Sequence, residues 1–395
     1  MSNSPHYIHC GQLWQPEGFV TDQTLVLKEG RIVAVQPTET ISAAAADALD
    51  ATANIVIPGL IDVQVNGGLG WSFQAEHESH FDEIIAFHAA AGTTTLLPTL
   101  VTAPAETLRQ SLRTLSNYLG QSQRAYLPGI HLEGPFLSPE KSGAHDPAAL
   151  CHPDLIFAQQ FAESAQDTIK ILTIAPELPN AAAVIKYFAE QGVIVSAGHS
   201  AASYAQLRQA MATGLGMITH AGNASDWPHR AMGDLGFLTS EPGMVGTLMA
   251  EPELVGSIIM DGFHFHPALL KPLVQLKGPD RIILTSDAAP VAGCAPGNYD
   301  SGGLQVSIHP EGFATSGRGG GWLAGSIITQ LTAMQRAVTL AGLDLHQAVW
   351  MASLGPARLL GLADRKGHLQ VGADADVVIL NEDLALQGVV VAGKI

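Results

Sequence analysis

Acidic and imidazole side chains recur along the middle of this 395-residue chain, each directly after a short apolar run. Glu133 follows one such run, His199 and His220 follow two later ones, and Asp287 follows the last. One carboxylate and two imidazoles form a ligand set for a divalent cation that leaves a position open for water. An aspartate beside such a site can take a proton from the water and later give it to a leaving amine. These residues therefore predict metal-dependent hydrolysis.

Each of these residues also has an ordinary structural interpretation. A single histidine at a strand end is most often hydrogen-bonded within the fold, and a single acid there often caps a helix. The set as a whole carries the prediction, and an unrelated substrate pocket is the competing interpretation. His131 is interpreted as a core-facing neighbour of Glu133, with a metal role as the weaker alternative. Gln64 and Asn66 carry neutral amides, which are poor divalent-metal ligands beside imidazole and carboxylate.

The side chains of these residues can converge only if the preceding strands are parallel and their carboxyl ends lie on the same face of the fold. Eight apolar strands are predicted, at 55–65, 94–100, 127–132, 170–174, 193–197, 217–219, 255–260 and 281–285. Amphipathic helices separate most of them, for example at 81–91, 106–119, 181–191 and 204–213. This alternation predicts an α/β fold, a (β/α)8 TIM-like barrel, whose active sites lie at the carboxyl ends of the strands.

Both ends of the chain contain short strand-like segments instead. Candidate strands lie at 24–27, 31–35, 375–380 and 388–391, with a turn at 28–30. We therefore predict a small β-sandwich domain built from residues 1–56 and 366–395, and a barrel domain over 57–365.

Composition limits the partners and the location of the protein. Hydrophobic residues make up 47% of the chain and charged residues only 14%, which suits a sheet that is buried on both faces. The formal net charge of -17 disfavours nucleic acid and anionic membranes as partners. Cys10, Cys151 and Cys294 form no C-x-x-C pair, which argues against disulfides and a thiolate zinc site. We expect a cytoplasmic protein without a signal peptide or membrane span.

Several segments carry a resemblance to a known family. They are 58–67 (PGLIDVQVNG), 131–136 (HLEGPF), 196–200 (SAGHS), 261–264 (DGFH), 323–326 (LAGS) and 372–378 (GADADVV). These segments are similar to those of N-acetylglucosamine-6-phosphate deacetylases of the amidohydrolase superfamily. The resemblance extends over nearly the whole chain.

The resemblance implies roles for individual residues. Glu133, His199 and His220 would hold the catalytic metal, and Asp287 would be the acid/base. The implied substrate-binding residues are Gln64, His145, Asn223, Ala224 and His264. Of these, His145 and His264 would also help to polarise the acetyl carbonyl.

The metal content and the assembly are also implied by the resemblance. Family members with His-x-His after the first strand can hold two metals, whereas this chain has Gln64 and Asn66 there. The expectation is a single divalent ion, zinc by default and iron as the alternative. The resemblance also implies a homodimer, in which the partner completes the phosphate end of the site.

One departure from the family concerns the substrate phosphate. In the family, an Asn-Ala pair is followed by Met and shortly by a His-Arg-Glu-Pro-Gly run whose arginine binds the sugar phosphate. Here Asn223 and Ala224 lead into 225–231 (SDWPHRA), and Glu241 arrives only after an insertion, preceded by Ser240. The arginine is therefore either displaced to Arg230 or missing, and its loss would remove a strong contact to phosphate.

The expected function is hydrolysis of N-acetylglucosamine 6-phosphate to glucosamine 6-phosphate and acetate. One alternative is a deacetylase for an unphosphorylated or different N-acetylhexosamine, or for an N-acetyl amino acid, with its specificity in the Arg230 loop. Another is a catalytically silent binding protein. The joint presence of all four chemical residues disfavours the silent protein, which has no chemical need for them.

Overall fold

The structure, a computed structural model, describes residues 5–41, 48–74, 78–232, 236–301, 304–317 and 321–394. The helices are α1 (Ser79–Ala90), α2 (Ala105–Tyr118), α3 (Leu155–Ser164), α4 (Ala181–Glu190), α5 (Tyr204–Met211), α6 (Gly243–Ala250), α7 (Pro267–Lys277), α8 (Gln330–Thr339), α9 (Leu345–Ala352) and α10 (Leu354–Leu359). The strands are β1 (His6–Gln15), β2 (Gly18–Lys28), β3 (Arg31–Pro37), β4 (Leu49–Pro58), β5 (Leu60–Val65), β6 (Gly67–Gly68), β7 (Trp71–Ser72), β8 (Thr93–Val101), β9 (Ile130–Glu133), β10 (Ile169–Ile174), β11 (Ile194–Ala197), β12 (Leu215–Ile218), β13 (His229–Met232), β14 (Leu238–Glu241), β15 (Val255–Ile259), β16 (Ile282–Thr285), β17 (Gly297–Ser301), β18 (Leu304–Ile308), β19 (Ala314–Ser316), β20 (Val377–Leu380) and β21 (Leu386–Val390). None of the helices in the described ranges is long and apolar enough to cross a lipid bilayer.

Eight parallel strands form the central barrel. In spatial order they are β5, β8, β9, β10, β11, β12, β15 and β16, which is also their order along the chain. Each of the eight predicted runs overlaps one of these barrel strands, and the first run also contains the end of a strand that belongs to another sheet. Buried apolar side chains of the strands and the surrounding helices share one large core. The fold is the predicted (β/α)8 barrel.

Side chains tie the first barrel strand to the eighth where the barrel closes. Gln330, at the start of α8, is fully buried and donates to the carbonyl oxygens of Ile61 and Leu284, each at 2.8 Å. Asp62 on β5 accepts a hydrogen bond of 2.6 Å from Thr285 Oγ1 on β16. These bonds hold the ends of β5 and β16 together, so residues that follow the two strands become neighbours.

The apolar run at 55–65, predicted as one strand, is two strands separated by Gly59. β4 ends at Pro58 and belongs to the terminal sheet, whereas β5 starts at Leu60 and belongs to the barrel. A Cβ atom at Gly59 would lie 2.1 Å from Thr94 Oγ1, so only glycine fits there. The prediction of one strand was wrong because both pieces are buried and read as one continuous apolar run.

The two ends of the chain meet in one six-stranded sheet with the order β21-β20-β4-β1-β2-β3. β20 pairs antiparallel with β4, so that Val377 lies opposite Pro58. A separate cluster of buried side chains, among them Ile8 and Leu25, forms the core of this sheet. The division into domains at 1–56 with 366–395 and at 57–365 stays a prediction.

A buried ionic cluster lies just before β20. Lys366 Nζ lies 2.6 Å from Asp376 Oδ2 and 2.9 Å from Asp374 Oδ2. Arg365 Nη2 also contacts Asp374 Oδ2, at 2.6 Å. Burial acts to raise the pKa of Asp374, but hydrogen bonds from Arg365 and Lys366 hold it below its ordinary value. Asp374 is therefore a carboxylate that stabilises the folded state.

Substituting Asp374 with asparagine is expected to lower the free energy of unfolding by about 2 kcal/mol at pH 7, because the charge of buried Lys366 loses one partner. A carboxyl group whose pKa is lower in the folded than in the unfolded protein stabilises the fold at pH values above its unfolded-state pKa, which is roughly 4. This contribution is lost as the pH falls through the folded-state pKa. Urea unfolding should therefore show that the wild type and Asp374→Asn differ in their free energy of unfolding, and that this difference shrinks below about pH 4. Equal stabilities at pH 7 would contradict the assignment. Glu190→Gln is the control, since the exposed pair of Glu190 with Lys186 should contribute less than about 1 kcal/mol.

Candidate metal centre and active site

Three of the predicted site residues lie where barrel strands turn into loops. His199, His220 and Asp287 follow β11, β12 and β16 and have φ angles of 48°, 30° and 49°. This left-handed backbone is unfavourable for residues with a Cβ atom and is concentrated at functional sites. All three side chains belong to residues that are more than nine-tenths buried. The turns therefore keep these side chains inside the mouth of the barrel while the main chain leaves it.

Three imidazoles converge on Glu133, the last residue of β9. Glu133 Oε1 lies 2.9 Å from His220 Nε2 and 3.4 Å from His199 Nε2. Glu133 Oε2 lies 3.7 Å from His145 Nε2. Across the described part of the chain, Glu133, His145 and His199 form a group whose candidate ligand atoms all lie within 4.8 Å of one another. The structure thus brings together the three predicted metal ligands, and places His145 beside them.

The ring of His199 is oriented by a main-chain carbonyl. His199 Nδ1 lies 2.9 Å from Lys141 O, and because a carbonyl only accepts, Nδ1 carries the hydrogen. In the neutral ring, Nε2 then presents a lone pair to the Glu133 carboxylate, which also only accepts. Two facing acceptors are stabilised by a cation between them, and imidazole with carboxylate suits zinc. The residues present therefore fit a divalent metal ion.

The charges of the side chains agree with this fit. Burial acts to raise the pKa of Glu133, but the neighbouring imidazoles of His199 and His220 hold it well below its ordinary value. Burial, reinforced by the neighbouring His199, lowers the pKa of His145 to about 3. Near neutral pH, Glu133 is thus a carboxylate ready to bind a cation, and His145 is a neutral ring.

Asp287 lies beside this group, and Asn66 holds its carboxyl group. Asn66 Nδ2 donates to Asp287 Oδ1 at 2.7 Å. Burial, as the larger effect, and the negative charge of Glu133 together raise the pKa of Asp287 to about 6. A cation bound to Glu133 would oppose the second effect. A carboxyl group with a pKa near the working pH is suited to take up a proton and release it.

The two amides at the carboxyl end of β5, Gln64 and Asn66, contact the two acids. Gln64 Nε2 donates to Glu133 Oε1 at 3.1 Å, in the same way as Asn66 donates to Asp287. From the sequence alone, these amides were considered only as poor metal ligands, with Gln64 also expected to bind substrate. Their role in holding the carboxylates is visible only once the strands are placed side by side.

His131 is not available to a metal. It is fully buried, with Nδ1 at 3.0 Å from Val63 O and Nε2 at 2.8 Å from Thr173 Oγ1. Burial lowers its pKa to about 4, so the ring is neutral and Nδ1 donates to the carbonyl. Thr173 also contacts Thr219, the residue before His220, at 2.8 Å. The interpretation of His131 as a core-facing neighbour of the metal-site residues agrees with these contacts.

Asp62 was not singled out from the sequence although it lies beneath the site. It is fully buried and accepts hydrogen bonds from Thr285 Oγ1 at 2.6 Å and from the main-chain nitrogen of Gln64 at 3.3 Å. Burial raises its pKa. Because it joins the strands that carry Gln64 and Asp287, it supports both. The available signal was an acid inside the otherwise apolar run at 55–65.

The other residues expected to contact the sugar lie on loops around the centre: His145, Asn223, Ala224 and His264. Asn223 follows His220 closely, and its Nδ2 donates to the carbonyl oxygen of His220 at 3.4 Å. His264, in the loop after β15, lies 2.6 Å from Asp261 through its Nδ1, and its charge lowers the pKa of Asp287. His264 is therefore close enough to act on the proposed acid/base.

Arg230 lies on the hairpin formed by β13 and β14, which is the form the insertion takes. Its side chain is exposed, and Nη2 donates to Leu238 O at 3.1 Å within the same hairpin. Arg230 is directly paired with Ser240 across the two strands. Residues paired in this way carry their side chains on the same face of the sheet. Arg230 therefore lies beside Ser240, which occupies the position where the family motif has its arginine.

Comparison with known families supports one assignment. The model of the Amidohydrolase family matches residues 55–395. This match covers the barrel strands and continues through β20 and β21.

Two relatives and one solved structure resemble the whole or most of the chain. An N-acetylgalactosamine-6-phosphate deacetylase of Escherichia coli O157:H7 is 32% identical over 394 residues, covering 99% of each chain. An N-acetylglucosamine-6-phosphate deacetylase of Danio rerio is 35% identical over 356 residues, 88% of this chain and 85% of the relative. A mutant N-acetyl-D-glucosamine-6-phosphate deacetylase of Mycobacterium smegmatis, in complex with N-acetyl-D-glucosamine-6-phosphate, superposes with a TM-score of 0.89 at 32% identity over 99% of each chain.

Proposed function

The chain belongs to the amidohydrolase family, and we propose that it removes the acetyl group from N-acetylglucosamine 6-phosphate, giving glucosamine 6-phosphate and acetate. The observation that carries this proposal is the convergence of His199 and His220 on Glu133, with Asp287 held beside them at the mouth of the barrel. The galacto epimer is a second candidate substrate, because the full-length Escherichia coli relative bears that name. A silent binding protein would have no use for this arrangement.

We assign Glu133, His199 and His220 as the ligands of one divalent ion, and zinc is the ion that best suits two imidazoles and a carboxylate. Iron is the alternative. His220 is preferred to His145 because His220 and His199 both contact Oε1 of Glu133, whereas His145 faces Oε2 at a longer distance. When bound, the ion supplies Lewis acidity, which polarises the acetyl carbonyl and lowers the pKa of water.

Asp287 moves the proton in both halves of the proposed reaction. It takes a proton as the oxygen of water bonds to the carbonyl carbon of the acetamide. When the carbon–nitrogen bond breaks, it gives that proton to the amine nitrogen, so acetate and the free amino sugar leave. Asn66 keeps the accepting carboxyl group aimed at this position.

The remaining residues bind and orient the substrate in this proposal. His264 donates to the acetyl carbonyl oxygen as negative charge develops there. The sugar is held by Gln64, His145, Asn223 and Ala224. Arg230 binds the phosphate, because it is the arginine that lies beside Ser240 on the hairpin. The homodimer and the cytoplasmic location stay predictions.

The test is acetate release by the zinc-loaded protein from N-acetylglucosamine 6-phosphate, N-acetylgalactosamine 6-phosphate and free N-acetylglucosamine. We expect kcat/KM for the better phosphorylated sugar to exceed that for the free sugar by about 100-fold, equivalent to about 2.7 kcal/mol of transition-state binding. Arg230→Ala should lower kcat/KM for the phosphorylated sugar by roughly 10- to 100-fold, because a charge-assisted contact is lost. It should leave the free sugar unaffected.

Arg124→Ala is the matched control, since Arg124 is also exposed but lies near Tyr126, which pairs with the beginning of β8 at the opposite end of the barrel. Two results would separate the parts of the proposal. If the free sugar is as good a substrate as its phosphate, the change at Ser240 has altered the specificity. If Arg230→Ala affects all sugars equally, Arg230 does not bind phosphate.

A further inference from the structure

Asp261 and His264 form a buried pair in the loop after β15. Their side chains are only 2% and 5% exposed, and His264 Nδ1 lies 2.6 Å from Asp261 Oδ2. The other oxygen, Oδ1, accepts from the main-chain nitrogens of Phe263 at 2.9 Å and His264 at 2.8 Å. Both oxygens of Asp261 are therefore committed, and the orientation of its carboxyl group is set.

The loop itself is also tied down from outside. Arg336 on α8 donates from Nη1 to the carbonyl oxygen of Asp261 at 2.6 Å. Gly262, between the two members of the pair, has a φ of +82°, which allows the tight turn. The ring of His264 thus has one position relative to the barrel, set by Asp261 and maintained by Arg336.

The direction of the hydrogen bond between the pair follows from chemistry. Burial acts to raise the pKa of Asp261, but the hydrogen bond and charge of His264, with the two main-chain N–H groups, hold it below its ordinary value. Asp261 is therefore a carboxylate that only accepts, so His264 Nδ1 is the donor. If the ring is neutral, its Nε2 has no hydrogen and cannot donate. Only the imidazolium form donates from both nitrogens.

We propose that Asp261 is a positioning residue that commits His264 to the imidazolium form whenever its Nε2 donates to the acetyl carbonyl oxygen. This inference rests on the proposed function, in which His264 stabilises negative charge on that oxygen. Asp261 touches neither substrate nor reacting atoms. It acts by fixing which ring nitrogen carries a hydrogen and which direction the other nitrogen faces.

Three charged groups on different elements act on His264 or on the loop that carries it. Asp261 belongs to its own loop, Asp287 follows β16, and Arg336 approaches from α8. Asp287 is the group whose pKa His264 lowers by its charge. An imidazolium at His264 therefore also favours the unprotonated form of Asp287, the form that accepts the proton from water.

Asp261→Asn provides a sharp test because an amide cannot replace both carboxylate oxygens. The amide oxygen must stay on the main-chain N–H groups of Phe263 and His264, so the NH2 group turns toward His264 Nδ1. Nδ1 must then accept, which moves the hydrogen of the neutral ring to Nε2. The variant should retain a donor at Nε2 without needing the imidazolium.

The measurement is the nitrogen-15 NMR spectrum of the zinc-loaded protein with labelled histidine, with the His264 signals identified by their loss in His264→Gln. In the wild type, neutral His264 should carry its hydrogen on Nδ1. In Asp261→Asn, the neutral ring should carry its hydrogen on Nε2, and kcat should be about 10-fold lower near pH 7. KM should change little.

Asp344→Asn is the control, because Asp344 also accepts from the main-chain nitrogen of a following histidine, at 2.8 Å, but lies at the exposed start of α9. It should leave both kcat and the position of the hydrogen on the His264 ring unchanged. A neutral wild-type ring with its hydrogen on Nε2, or a neutral ring in Asp261→Asn that keeps its hydrogen on Nδ1, would overturn the proposal. If the ring states are as expected but none of the sugars is deacetylated, the proposed function fails while the assignment of the pair stands.

Discussion

Asp287→Asn is expected to lower kcat by at least about 1,000-fold while the protein keeps its metal. The amide cannot take a proton from water or deliver one to the leaving amine, so both halves of the proposed reaction lose their proton carrier. The substitution preserves size, and Asn66 can still hydrogen-bond the side-chain oxygen at position 287. Acetate release and metal content, measured on the same preparation, test this expectation.

The pH dependence of the unsubstituted protein provides a second check on the same residue. Burial and the charge of Glu133 raise the pKa of Asp287 to about 6, and a raised carboxyl pKa means that the basic form is lost as the pH falls through that value. A bound cation moves this fall to lower pH. We expect kcat/KM to decline on the acid side, at or below about pH 6. Turnover by Asp287→Asn at a comparable rate would remove Asp287 from the role of acid/base.

His220→Gln and His199→Gln are expected to weaken metal binding by more than about 100-fold. The reason is that each substitution removes a nitrogen that contacts Glu133 Oε1, and the remaining two ligands cannot hold the ion alone. Activity should fall in parallel. Metal content after dialysis and competition with a chelating dye measure the affinity directly.

His145→Gln separates the two possible ligand sets. The proposed set is Glu133, His199 and His220, so His145→Gln should keep its metal and lose activity through weaker binding of the sugar. His152→Gln, an exposed histidine away from the centre, is the control for loss of an imidazole. Retention of metal by His220→Gln together with its loss from His145→Gln would show that His145 is the third ligand.

The barrel could be predicted because its strands are buried on both faces. Segments such as 55–61 and 94–100 are mostly apolar, and amphipathic helices separate most of the strands, so the number and order of the strands follow from pattern alone. The same property hid the boundary at Gly59. Two buried strands in succession look like one in the sequence. The structure shows that the chain passes from one sheet to the other at Gly59, where Thr94 leaves no room for a Cβ atom.

The sequence by itself determined which residues are proposed to carry out the chemistry. Glu133, His199, His220 and Asp287 each follow an apolar run, and parallel strands place their carboxyl ends on one face of a barrel. The type of each residue and its place after a strand can both be read from the sequence, so these residues could be selected without a three-dimensional structure.

Only the tertiary structure decided how these residues are held. Asp62, Asn66 and Asp261 act through hydrogen bonds, and two of these residues have partners more than 200 positions away along the chain. The same is true of Arg230, whose position beside Ser240 depends on the register of a hairpin. A hydrogen bond depends on distance and direction between two atoms, and these are set by the packing of strands rather than by the order of residues.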